Sequence, residues 1–443
     1  MNRERKLFGT DGVRDIANEG NMTSEIALKL GSAFIRFNQG KRIVIGRDTR
    51  YSGRMLEGAL YSGMSSEGAE VILAGIIPTP GISFAIKHMN ADGGAVISAS
   101  HNPPEYNGIK FLGSDGCKLS DDEELSIEDI MNESSDRNAH TIGNVKDMPE
   151  LVELYANHIA ELLNTDAVIN DVVFDCANGA SAVTVPILIR NTVFNTHNAH
   201  IISNDIHGRN INTSAGVMHM KNLTDYVKSN ELSLGFAFDG DADRVLISDR
   251  HGRIIDGDII LWVLGRWYAK NKFSGYDKAV VTVMSNMALE THLAHEGIET
   301  LRCPVGDRYV LEKMRESGAG IGGEQSGHII ARGFTGTGDG LCTAMLFLNA
   351  IHDLGEDIST LIDRFGRYPQ KLTNLKLKRP RADIDMNAID EIVKEYERKV
   401  PNGRIFIRTS GTEPLLRILV EAPEIGLVEE LSCILSSRLE EYC

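Results

Sequence analysis

A chain of 443 residues exceeds one ordinary domain, so three or four separate cores are expected. Its 42% hydrophobic and 24% charged residues are those of a soluble globular protein, and its formal net charge of -16 argues against nucleic acid or an anionic membrane surface as the main partner. An anionic substrate then requires local clusters of basic side chains.

The start, "MNRERKLFGTDGVRD", is charged and then glycine-rich, so no secretory signal is expected and the chain is expected to stay in the cytoplasm. The most apolar later stretch, "LCTAMLFLNAI" from Leu341, is too short to span a bilayer and predicts a buried helix. Six cysteines (Cys117, Cys176, Cys303, Cys342, Cys433, Cys443) lie far apart without a C-x-x-C pair, which fits reduced thiols in core or surface positions.

In chain order, "RIVIGRDTR" leads through the helical pattern "MLEGALYSGMSSEG" to the strand-like "AEVILAGI". "DVVFDCANGA" and "KAVVTVMSN" open similar passages, so three α/β domains are expected. Between the first two, "LSDDEELSIEDIMNESSD" carries a capping box at Ser120 and Glu123 and reads as a helix with a solvated acidic face. "MPELVELYANHIAELLN" is an amphipathic helix near a domain boundary. Towards the end, "FGRYPQKLTNLKLKRPRADID" shows neither period and reads as a linker into a last domain, whose "GRIFIRTSGTEPLLRILVEA" is two strands around a polar turn. The expected domains are 1–150, 151–252, 253–367 and 368–443.

Four polar loops carry the chemistry. In "ISASHNPPEYNGIK", Ser100 falls at or just past the carboxyl end of a buried strand, where open α/β sheets place ligands, and Pro103 and Pro104 prevent an immediate helix. Alone, Ser100 reads more readily as a capping hydroxyl than as a nucleophile. In "LGFAFDGDADRVLISD", Asp239, Asp241 and Asp243 alternate beyond a strand end and suit one hard cation. An EF-hand is excluded, because its sixth position is Arg244 and its twelfth Arg250. Mg²⁺ fits best, taking its other ligands from water or phosphate.

In "GIGGEQSGHII", Glu324, Ser326 and His328 alternate, suited to sugar hydroxyls or an amine, with His328 a further candidate for proton transfer. The G-x-G-x-x-G match at Gly318, Gly320 and Gly323 lacks the strand before it and the helix after it that a dinucleotide site requires. In "RTSGTEPLLR", Arg408 and Arg417 bracket Ser410, Gly411 and Thr412, a set suited to clasping phosphate; the alternative is a plain hairpin turn.

Together and in this order the loops closely resemble the α-D-phosphohexomutase superfamily. The resemblance runs the full length, through "KLFGTDGVRD", "ISASHNPPEYNGIKF", "FDGDADR", "PVGDRYVLEKM", "GGEQSGH", "TGDG" and "RTSGTEPLLR", and "GGEQSGH" with "FGTDGVR" points to its glucosamine-phosphate branch. It implies three similar α/β domains with mixed sheets and a smaller α+β C-terminal domain around a central cleft. The implied reaction interconverts glucosamine 6-phosphate and glucosamine 1-phosphate through a phosphoserine and a 1,6-bisphosphate, supplying UDP-N-acetylglucosamine and cell-wall precursor synthesis.

The resemblance further implies that Ser100 is the phosphoserine, flanked by His101 and Asn102, and that it completes one Mg²⁺ site per subunit with Asp239, Asp241 and Asp243. Glu324, Ser326 and His328 would select the sugar, and Arg408, Ser410, Gly411, Thr412 and Arg417 would bind phosphate. Lys110 and His328 would manage protons, with Arg14 and Arg244 supporting the phosphoryl group. A hexosamine or glucose 1,6-bisphosphate is the implied activator and a phosphosugar the partner, with no nucleic acid or membrane; the assembly considered is a homodimer. Asp15 and Ala242 stand where the family more often has glycine, and "HNPPEYNG" resembles the phosphomannomutase branch, so phosphomannomutase or phosphoglucomutase is the alternative.

Overall fold

The computed structural model describes residues 7–9, 11–133, 141–164, 166, 171–192, 194, 199–380, 383–400, 402–409 and 414–442. The chain forms two compact units, Met1–Met284 with Leu293–Ile362, and Ser285–His292 with Asp363–Cys443. Among the described residues, the first holds three sheets of six, five and four strands, and the second holds one of three strands.

The three sheets of the larger unit share one device. Arg42–Arg47 runs parallel to Gly93–Ile97, which then returns antiparallel as Tyr106–Gly113. Val172–Asp175 runs parallel to Leu234–Phe238, which returns as Val245–Asp249. Lys278–Thr282 runs parallel to Ile321–Gly323, which returns as Ile329–Ala331. Each return loop carries one of the polar motifs: Ser100, the three aspartates, or Glu324 to His328. A parallel strand buried on both faces ends in a loop, and placing the chemistry there leaves the sheet core apolar.

Core packing follows from the apolar runs. The strand residues Val172 to Phe174 and Phe236 to Phe238 are fully buried, and the Phe174 and Phe236 rings stack 5.4 Å apart. Burying each such side chain contributes roughly 1.5–3 kcal/mol. "LCTAMLFLNAI" lies within the helix Gly340–Leu354, whose residues from Gly340 to Ile351 are buried; Asp339 caps it by accepting from Cys342 N at 2.9 Å. No described helix is long and apolar enough to cross a membrane. Of the cysteines, Cys117, Cys176, Cys303 and Cys342 are buried free thiols and Cys433 is exposed, while Cys443 lies outside the described residues.

Two segments differ from their sequence reading. The acidic helix Asp121–Asn132 has the expected capping box, but its face is not simply solvated: Glu124 and Glu128 are buried. Glu128 accepts from Leu7 N and Phe8 N at 2.8 Å each, and Glu124 pairs with Arg308 at 3.0 Å. The basic passage read as a linker contains the strand Gln370–Lys376, paired with Leu415–Glu421. It is an edge strand with mostly exposed side chains, so burial imposes no alternation that the sequence would display.

In the smaller unit, the hairpin Arg404–Thr409 and Leu415–Glu421 packs its inner face on the helices Met386–Glu397 and Ile425–Leu439. Its buried Glu421 accepts from Arg404 Nε at 2.7 Å and Met287 N at 2.8 Å.

Candidate active site

Ser100 lies three residues past Gly93–Ile97, buried, with backbone φ of 50°. A left-handed serine is strained, and such strain collects at functional sites. The turn aims its Oγ at the neighbouring loop, where it donates to Asp239 Oδ2 at 2.6 Å. His101 Nδ1 is 3.3 Å from the same Oγ. Burial, then the charges of Arg244 and Arg14, push the His101 imidazole down to about 4, so it is neutral near pH 7.

Asp239, Asp241 and Asp243 are all buried and offer oxygens within 4.8 Å of one another. Burial, then Asp243 and Asp241, raise Asp239 well above the usual carboxylate range. Burial also opposes ionisation of Asp241, but Lys110, Thr79 and Arg14 outweigh it and hold that carboxyl low. Asp241 Oδ1 and Asp243 Oδ1 are buried without a hydrogen-bond partner among the described residues. Converging orphan carboxylate oxygens are what a hard cation satisfies, so the trio fits Mg²⁺.

Around the trio stand the other expected groups. Lys110 Nζ lies 3.2 Å from Asp241 Oδ2 and 3.2 Å from Asp11 Oδ2. Arg14 donates to Ala99 O and Asn102 Oδ1, at 3.2 Å each, and pairs with Asp11. Arg244 donates its backbone N–H to Asp239 Oδ1 at 3.2 Å, and its Nε lies 3.8 Å from Asp243.

The third loop meets the second directly. Arg244 and His328 form an isolated bridge, and Val245 N donates to Gly327 O at 3.1 Å. His328 Nε2 is 3.9 Å from Asp243 and 3.6 Å from Asp307. Among the described residues, neither ring nitrogen of His328 has a hydrogen-bond partner, nor has Ser326 Oγ, although all are buried. Glu324 accepts from Gly306 N at 3.1 Å. Buried donors and acceptors left open beside a charged trio suit a polar ligand.

Several site residues were not singled out in the sequence. Lys118 bridges Asp11 and Asp307, and so links the "FGTDGVR" segment to the carboxylate beside His328. Burial opposes ionisation of Asp307, but Lys118 and His328 outweigh it and hold its carboxyl low. Asp11 and Asp307 lie inside quoted motifs, "FGTDGVR" and "PVGDRYV", whereas nothing local marks Lys118. Lys118, Asp307, Arg308 and His328 also line a cavity of about 430 Å³.

In the smaller unit, Arg408 and Arg417 are direct cross-strand partners. Like charges facing each other destabilise a sheet unless an anion shares them. Burial, then Arg417, lower the Arg408 guanidinium from its ordinary value. Ser410, Gly411 and Thr412 lie outside the described residues. The expected helix Asp307–Ser317 precedes the glycine triplet, and its last glycine lies within the strand Ile321–Gly323, so the strand-before, helix-after context of a dinucleotide site is absent there.

Comparison with known proteins covers nearly the whole chain. Residues 5–138, 153–252, 256–368 and 372–432 match, in turn, phosphoglucomutase/phosphomannomutase alpha/beta/alpha domains I, II and III and the C-terminal domain. Phosphoglucosamine mutase from Anoxybacillus flavithermus is 39% identical over 446 residues, covering 98% of this chain and 99% of that protein. The Deinococcus deserti phosphoglucosamine mutase is 41% identical over 451 residues, covering 99% and 98%.

Among solved structures, a phosphoglucomutase/phosphomannomutase family protein from Burkholderia thailandensis shares the fold with TM-score 0.81 at 23% identity, covering 98% of this chain and 97% of that one. The Aspergillus fumigatus N-acetylphosphoglucosamine mutase in complex with GlcNAc-6P and magnesium gives TM-score 0.64 at 17% identity, covering 90% and 82%. With four domain matches in order and near-complete coverage by relatives about 40% identical, the chain belongs to the phosphoglucosamine mutase family of the phosphohexomutases.

Proposed function

We propose that this enzyme interconverts glucosamine 6-phosphate and glucosamine 1-phosphate, with phospho-Ser100 as the relay. The observation that carries the reading is the buried Ser100 Oγ, 2.6 Å from Asp239 in a three-carboxylate cluster. Uncatalysed phosphate-ester cleavage is so slow that accelerations of up to ~10²¹-fold are required of such sites. Positioning and charge neutralisation supply most of that.

Asp239, Asp241 and Asp243, with a phosphate oxygen on Ser100, would hold Mg²⁺. When bound, the cation neutralises charge on the phosphoryl group. In the first half-reaction the sugar O1 hydroxyl attacks phosphorus, the P–Oγ bond breaks, and the hydroxyl proton ends on Ser100. In the second, Ser100 Oγ takes the 6-phosphoryl group and O6 receives the proton. Lys110 and His328 are assigned to carry it, and Arg14 and Arg244 to support the transferring group. Glu324, Ser326 and His328 bind the sugar, Glu324 suiting the amine. Arg408 and Arg417, with Ser410, Gly411 and Thr412, hold the phosphate that is not reacting. The amino sugar must therefore bind in two opposed orientations.

Side-by-side turnover of glucosamine, mannose and glucose 6-phosphates tests the assignment. The amino sugar should have the highest kcat/KM; a clear preference for a neutral sugar would contradict the choice of substrate.

A further inference from the structure

The strained backbone at Ser100 needs something to hold it, and two of the groups that do so lie in "RIVIGRDTR". Asp48 and Arg50 follow the strand Arg42–Arg47, and both side chains are fully buried, paired at 2.9 Å. Apart from the Nε that pairs with Asp48, the Arg50 guanidinium directs its donors to one loop. Its Nη2 donates to Ser100 O at 2.9 Å and Asn102 O at 2.8 Å, and its Nη1 donates to Tyr106 O at 2.8 Å and to Pro103 O.

Asp48 secures the other side of the turn. Its Oδ2 accepts from Ser98 Oγ at 2.6 Å, and that hydroxyl in turn accepts from Ser100 N at 2.9 Å. Asn212, from the neighbouring sheet's domain, adds donations to Ser100 O at 2.8 Å and Asn102 O at 2.9 Å. Both backbone polar groups of Ser100 are thus fixed by one connected buried network. None of the hydrogen bonds of Arg50 among the described residues goes to Asp239, Asp241 or Asp243. A planar fork with five donors can span four carbonyls of a turn, whereas an ammonium reaches far fewer.

We propose that Arg50, working through Asp48 and Ser98, is the positioning residue of the phosphoryl relay: it holds Ser100 in the left-handed turn that points Oγ at Asp239. The inference rests on Ser100 being the phosphorylated residue. It predicts that loosening the network slows transfer without weakening sugar binding, because misplacing a reacting atom by about 1 Å can cost about 10²-fold.

The test uses the full-length protein with Arg50→Lys and Ser98→Ala. Serine phosphorylation is measured by intact mass, folding by cooperative melting, and kcat is expressed per phosphorylated site. Each variant should lose about 10- to 100-fold in kcat with KM within about threefold of the parent. A merely structural role would leave the rate per folded, phosphorylated site unchanged, so both variants within about twofold of the parent would overturn the proposal. Should Arg50→Lys fail to fold, Ser98→Ala and Asn212→Ala decide by the same criterion. A parent enzyme that turns over none of the three hexose 6-phosphates would overturn the functional reading itself, an outcome visible before any variant is compared.

Discussion

Lys110 Nζ lies 3.2 Å from Asp241 Oδ2, so a buried cation shares a carboxylate with the cluster assigned to Mg²⁺. The pairing places the residue proposed to carry the proton beside the three-aspartate loop, and its positive charge offsets part of the repulsion among three buried carboxylates. Replacing Lys110 by Gln should lower kcat about 10²- to 10⁴-fold, the usual contribution of a positioned acid–base group, with a smaller change in KM. Steady-state kinetics on glucosamine 6-phosphate measure this.

The metal assignment rests on orphan oxygens of Asp241 and Asp243. Chelation should abolish turnover, and added Mg²⁺ should restore it. Asp243→Asn should weaken the apparent Mg²⁺ affinity by at least about 10-fold, read as a rightward shift of the activation curve. It should leave the fold intact, because isosteric amides relieve repulsion within the cluster.

The "TGDG" segment frames two loops at once. A Cβ on Gly338 would clash with His328 Nε2, so only glycine lets the imidazole lie against this backbone. Gly340 N donates to Ala242 O at 3.0 Å, fixing the same segment to the metal loop. Gly338→Ala should displace His328 and cut kcat about 10- to 100-fold. Melting should shift far less than activity falls.

Asp339 gives a pH signature. Burial raises its carboxyl to about 6, against partial relief from Cys342 N and the Tyr155 hydroxyl, which donates at 2.9 Å. The folded-state value lies above the ordinary 3.8, so the folded form holds this proton more tightly. Stability contributed by the protonated acid is present below about pH 4 and lost as pH rises through about 6, by about 3 kcal/mol. Asp339→Asn keeps an acceptor for Tyr155 and cannot ionise. Its melting temperature relative to the parent should therefore rise between about pH 4 and 6.5 and level off above; a flat difference would contradict the assignment.

What the sequence displayed was what lies close together along the chain. Ser100 and the three aspartates sit in short loops after buried strands, where apolar runs stop abruptly at polar residues. Arg408 and Arg417 were visible as a pair because a hairpin brings them opposite each other. Lys118, Asp307, Arg50 and Asn212 act through partners far away in the chain, such as Lys118 with Asp307 and Asn212 with Ser100 O. No local pattern marks a residue whose partner is supplied by tertiary folding. Glu128 was misread for the same reason: its acceptance from Leu7 N and Phe8 N is invisible in an acidic helix. Gln370–Lys376 was missed because an edge strand with exposed faces need not alternate.

The central claim is that Ser100 relays the phosphoryl group, and transfer of label tests it most directly. Enzyme loaded from a ³²P-labelled hexose 1,6-bisphosphate should carry label on the peptide containing Ser100, and unlabelled glucosamine 6-phosphate should remove that label into sugar bisphosphate at a rate no slower than kcat. Label absent from Ser100, or Ser100→Ala enzyme turning over at the parent rate, would contradict it.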